Sequence, residues 1–106
     1  MDRHELRKEY LRALRSGIDG GDVDKELSVL ATKLEVFAEE QTDERRKNRY
    51  LETAKNIDNQ RQFLKDNPDK KQLALNMWRY IQIYGEERGL DKLFEKFPTK
   101  DSFVKE

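Results

Sequence analysis

"EEQTDERRKNRYLE", residues 39–52, decides the fold, because the apolar pattern changes phase across it. Upstream, Leu27, Leu30, Ala31, Leu34, Phe37 and Ala38 recur at helical spacing without interruption. Downstream, Tyr50, Ala54, Ile57 and Leu64 form a second helical set. At about 100° per residue, one straight helix through both would turn the second set to roughly the opposite side from the first. Such a helix would have to bury opposite faces at its two ends. A break near Gln41 and Thr42 removes the conflict. Thr42 then serves as N-cap, and Asp43 and Glu44 fall in the first turn, where the helix dipole favours acids. The stretch is therefore expected to be the turn of a helical hairpin. Against this, no Gly closes the second helix, and Glu39 and Glu40 are poorly placed at a C-terminus. One long helix serving two neighbours is the alternative.

The same stretch packs Arg45, Arg46, Lys47 and Arg49 together and raises the question of nucleic acid. The chain as a whole answers weakly against it, since Lys plus Arg and Asp plus Glu are 22 each and the net charge is zero. Phosphate binders draw much of their affinity from a basic excess. On a helix starting after Thr42, Arg45 and Arg49 take the outer face while Arg46 and Lys47 flank the Tyr50 stripe. By segment, residues 17–42 carry a net −5 and lie between residues 1–16 and 43–66, each at +2. The basic helices are thus expected to neutralise an acidic neighbour.

Working outward, two Pro and five Gly punctuate periodic segments, and no alternating apolar–polar run suggests a strand. A first helix is expected from Asp2 to Ser16 with Leu6, Tyr10, Ala13 and Leu14 on one face, broken by Gly17, Gly20 and Gly21. Asp22 caps the second helix. Asn67 and Pro68 mark the start of a fourth helix. It carries Leu73, Ala74, Met77, Trp78, Tyr80, Ile81 and Tyr84 over an arc of about 160°, wide enough for more than one neighbour, with Gly89 to end it. "LDKLFEKF", residues 90–97, reads as a short fifth helix stopped by Pro98. The expected architecture is all-α: a small antiparallel helical bundle of four main helices plus a short C-terminal helix. It forms one domain over residues 1–98, followed by a tail at 99–106.

Charged residues make up 42% of the 106 residues and apolar ones 35%. The core is therefore thin, so slender helices or a core completed by a partner are expected. The absence of Cys excludes disulfides and thiolate chemistry and fits a reducing compartment. No apolar leader opens the sequence, and no apolar run approaches the roughly 20 residues of a membrane span. A cytoplasmic protein without membrane contact is the expectation.

Motifs for chemistry are missing. His4 is the single histidine, with no Cys beside it to build a transition-metal set. "DGGDVDKE", residues 19–26, has the acid density of a calcium loop but fails the EF-hand spacing in either register. Phosphate loops, nucleophile elbows and zincin motifs do not occur. No catalytic residue, metal site or cofactor is assigned, and a non-enzymatic protein is expected.

What stands out is aromatic. Trp78, Tyr80, Tyr84, Phe94, Phe97 and Phe103 fall in the last third, where Trp and Tyr supply contact area with a polar handle. Leu75 and Ile83 lie off the main stripe of the fourth helix and must face a second internal neighbour or a partner. The candidate partner interface is accordingly Leu75, Trp78, Tyr80, Ile83, Tyr84, Phe94 and Phe97. The function expected is a small regulatory, adaptor or assembly module that binds a protein partner or itself. A nucleic-acid-binding regulator using Arg45, Arg46 and Arg49, with the Arg-rich first helix, is the alternative.

Overall fold

The computed structural model describes the backbone of residues 3–88 and the side chains of residues 4–84. It contains α1 (Arg3–Ile18), α2 (Val23–Glu39), α3 (Glu44–Asp66), a 3₁₀ turn (Pro68–Lys70) and α4 (Lys71–Arg88). Among the described residues there is no strand, and the four helices pack together compactly. The expected fifth helix at 90–97, the tail, the Asp2 cap and the Gly89 stop lie outside the described residues.

The hairpin expected from the phase change is present. Residues 40–43 link α2 to α3, and the two helices lie along each other. Asp24 meets Arg61 at one end, while the Phe37 and Tyr50 rings meet edge to face at 4.8 Å near the turn. The cap falls one residue later than expected. Asp43 rather than Thr42 is the N-cap, and its carboxylate accepts from the Arg45 N–H at 2.9 Å. A charged acceptor there also complements the helix dipole. The end of α2 closes without Gly: the Glu40 and Gln41 N–H groups donate to the Phe37 and Ala38 carbonyls at 3.2 and 3.1 Å, and the Gln41 side-chain amide adds a second bond to the Phe37 carbonyl at 3.1 Å.

Two other boundaries differ from expectation. Gly17 does not break α1, which runs on to Ile18; the turn is made at Gly20, whose φ of +96° suits glycine. Gly17 is instead small because of close packing. A Cβ placed there would lie 2.7 Å from Val23 Cβ and 2.9 Å from Leu75 Cδ1. The fourth helix starts at Lys71, later than the Asn67–Pro68 signal, because Pro68 opens the 3₁₀ turn instead. Asn67 has no side-chain bond into that turn. Its amide donates back to the Phe63 carbonyl at 3.1 Å and closes α3.

Each helix contributes large side chains and at least one Ala to the core. Leu6, Leu14, Leu27, Leu30, Leu34 and Ile57 are essentially inaccessible, and Ala13, Ala31, Ala54 and Ala74 sit between them. Small residues at these positions let slender helices approach closely. Burying each large aliphatic side chain contributes about 2 kcal/mol. Charge pairing follows the segment pattern along the hairpin, where Arg61 and Lys65 meet Asp24 and Lys47 meets Glu39. Between α1 and α2 the sense is reversed: Lys33 of the acidic helix binds Glu9 of the basic one at 2.9 Å.

Candidate interaction surface

α4 has two apolar faces with different fates. Its inner face, Ala74, Leu75, Trp78 and Ile81, is buried. Leu73, Met77, Tyr80 and Tyr84 follow the i, i+4, i+7, i+11 rows of one helix flank, a second stripe beside the first. Leu73 is 63% exposed, Tyr80 39% and Tyr84 38%, while Met77 is half-buried. The Tyr80 and Tyr84 rings lie 5.0 Å apart and tilted at 48°.

The reason lies in how α4 is seated. It packs chiefly on α1: the Arg7 guanidinium donates to the Gln82 carbonyl at 3.2 Å, Leu75 abuts Gly17, and the Gln72 amide donates to the Ile18 carbonyl at 3.1 Å. Against α3 it is held at the connection, where Phe63 meets Trp78 at 5.9 Å. Along the second stripe the exposed positions are Leu73, Tyr80 and Tyr84.

The expected interface residues therefore separate. Leu75 and Trp78 belong to the core of the chain, at 0% and 2% exposure, so the second neighbour that Leu75 required is α1. Tyr80 and Tyr84 are on the surface, and Ile83 is half-buried beside them. Phe94 and Phe97 lie outside the described residues. Leu73 and Met77, placed by periodicity on the same wide apolar arc, lie along this row, Leu73 exposed and Met77 half-buried. The signal for them was the width of the apolar arc, since residues at its far edge exceed what one helix neighbour covers.

The basic residues form no single patch. Arg45 and Arg46 are exposed at the start of α3, Arg49 is half-buried, and Lys47 is engaged by Glu39 at 3.5 Å. Asp43 and Glu44 adjoin them. Among ionisable groups, Asp24 is perturbed: hydrogen bonding from Arg61, reinforced by the charges of Arg61 and Lys65, holds its carboxyl below the ordinary value against a smaller effect of burial.

Polar groups inside the core were not anticipated. Gln60, fully buried in α3, bonds Tyr10 of α1, and the Thr53 hydroxyl donates to the Arg49 carbonyl at 2.9 Å. Gln82 is 3% exposed, and neither of its amide atoms has a hydrogen-bond partner among the described residues.

The groove between α1 and α2, about 490 Å³, is lined by Glu9, Asp22 and Glu26 against Arg12, Lys25 and Lys33, so it favours neither sign of ligand. Among the described residues no set of three His, Asp or Glu side chains could hold a metal ion, and no helix is long and apolar enough to cross a membrane. The described residues form a compact all-helical unit whose exposed large apolar side chains are Val29 and Val36 on α2 and Leu73, Tyr80 and Tyr84 on α4. Comparison of the chain with protein-family models, curated proteins and solved structures gives no match.

Proposed function

We propose that the protein is a non-enzymatic interaction module, an antiparallel helical bundle that binds a protein partner or a second copy through the outer flank of α4. The observation carrying this reading is the apolar row of Leu73, Met77, Tyr80 and Tyr84, exposed at every position but the half-buried Met77. A continuous apolar row on a polar chain is the form in which helices recognise helices, and Tyr adds contact area with a hydroxyl for the rim. Within this reading the role is regulatory, adaptor or assembly.

Leu73→Asp and Tyr80→Asp test the reading, because both side chains are exposed enough to be replaced without opening the core. Light scattering across concentrations and capture from source lysate should show a complex for the native chain and its loss in the variants, with circular dichroism unchanged. A native chain that stays monomeric and retains no specific protein would remove the proposal. Retention of DNA or RNA at low salt, falling steeply as salt rises and lost with Arg45, Arg46 and Arg49, would favour the nucleic-acid alternative.

A further inference from the structure

We infer that the protein pairs with a second copy of itself through the outer face of α2, the two helices running antiparallel about a two-fold axis at Thr32. This goes beyond the reading of the α4 row, stands independently of it, and leaves that row to a different protein.

α2 buries Leu27, Leu30, Ala31, Leu34 and Ala38 between α1 and α3. On its far side Lys25, Val29, Thr32, Val36 and Glu39 stand at spacings of 4, 3, 4 and 3, the seam along which one helix lies against another. At about 100° per residue the five fall within an arc of about 80°, turned away from the buried stripe. All five are exposed, and Val29 at 48% and Val36 at 56% are the exposed large apolar side chains of this helix. They sit one turn to either side of Thr32. The Thr32 hydroxyl donates back to the Ser28 carbonyl at 3.1 Å, so the middle of the row presents no unspent donor.

Charge selects the occupant and its direction. The row is basic at one end, with Lys25 in the first turn of α2, and acidic at the other, where Glu39 ends the helix and Glu40 follows. Lys25 has no ion pair among the described residues. Glu39 reaches Lys47 at 3.5 Å but stays 68% exposed, which leaves most of its carboxylate to a second cation. A row with ends of opposite sign complements its own reverse, the condition for a two-fold interface. With the axis at Thr32, Lys25 and Glu39 of the second copy both lie about 10 Å along the helix from it, on the same side. Val29 falls within about 2 Å of the level of Val36 of the second copy. Parallel pairing would instead set Glu39 and Glu40 against their own equivalents. The other acids of α2 belong to its sides: Asp24 is held by Arg61 at 3.0 Å, Glu26 lines the groove toward α1, and Glu35 lines the groove toward α3.

So short a row buries less than the roughly 1,200 Å² of a stable complex, so the dimer belongs to concentrated solution. Sedimentation equilibrium and amide spectra of the full chain, taken up to about 1 mM, reach weak association of this kind. The mass should rise toward that of a dimer, with concentration-dependent shifts centred on residues 25–39. Val29→Gln/Val36→Gln, which keeps good helix formers at exposed positions, should abolish both with circular dichroism unchanged. Lys25→Glu and Glu39→Lys should each weaken self-association about tenfold. An equal mixture of those two variants should recover it, because each exchanged charge then meets its opposite on the other chain. A monomer at every concentration, a dimer that survives the double valine substitution, or a mixture no tighter than its components overturns the inference. A dimer lost with Leu73→Asp and Tyr80→Asp but kept in the valine variant overturns it in favour of the α4 row. Pairing through α2 by a chain that retains no other protein sinks the α4 reading alone.

Discussion

The Tyr10 hydroxyl of α1 lies 2.8 Å from Nε2 and 3.0 Å from Oε1 of Gln60 in α3, and both residues are buried. This contact crosses the core between helices that the chain does not join directly. Apolar packing tolerates sliding of one helix past another, whereas a buried amide and phenol pair only at one register. The Tyr10–Gln60 pair therefore pins α1 against α3.

Tyr10→Phe should leave the Gln60 amide buried without that partner and cost about 1–3 kcal/mol, measured by urea unfolding. Gln60→Leu should cost less than the same range, because leucine adds apolar contact where the amide is lost. The double variant should be more stable than the sum of the single losses implies, since no polar group is then stranded. Strict additivity would mean that the two groups are not coupled.

Gly17→Ala should destabilise the protein although alanine is the better helix former. The propensity gain is about 1 kcal/mol, while overpacking of a filled core costs about 1–3 kcal/mol. The contact with Val23 Cβ at 2.7 Å decides the sign, because that atom is fixed to the backbone of α2, whereas Leu75 Cδ1 can rotate away. A rise in the denaturation midpoint would contradict the close approach of α1 to α2.

Gln82→Leu should stabilise the protein by about 1 kcal/mol. Its amide is buried without a partner among the described residues, and a leucine of similar reach removes that desolvation cost while adding apolar contact. The bond from Arg7 is to the Gln82 backbone carbonyl and survives the change. Thermal and urea unfolding of the single variant measure the gain, and a loss of stability would show that the amide is satisfied in solution.

Asp24 should tie part of the stability to acid pH. Its folded carboxyl titrates below the ordinary value because Arg61 hydrogen-bonds the charged form. Its contribution is present in full above the ordinary aspartate range and is lost as pH falls through the lowered folded value. Asp24→Asn should therefore be less stable than the native chain at neutral pH, and the gap should close as the pH drops below that range. The effect is small, since Asp24 is 44% exposed and screened by water. A gap independent of pH would assign the loss to the helix start rather than to the pair with Arg61.

Much of the fold was legible in the order of residues, and the misses have physical causes. The hairpin could be read because a phase shift between Leu27–Ala38 and Tyr50–Leu64 is a geometric contradiction within one helix. Asp22 could be read as a cap because its bond to the Lys25 N–H is local, at 3.1 Å. Gly17 was misread because a glycine at a turn and a glycine at a helix contact are the same letter, and only Val23 and Leu75 across the gap distinguish them. Gln60 and Gln82 gave no sign, since a buried amide looks like a surface one until its neighbours are placed.

The candidate surface divides in the same way. Periodicity alone placed Leu73, Met77, Tyr80 and Tyr84 on an apolar arc of α4, because spacing along a helix is set by backbone geometry. Which part of that arc is covered depends on where other helices lie. α4 leans on α1 through Gln82, Leu75 and Gln72 and touches α3 at Phe63, so Leu75 and Trp78 became core and Leu73 became surface. Helix positions and their apolar faces are local properties written residue by residue. The choice between core and contact surface is made by distant side chains competing for the same space, and the tertiary structure alone decided it.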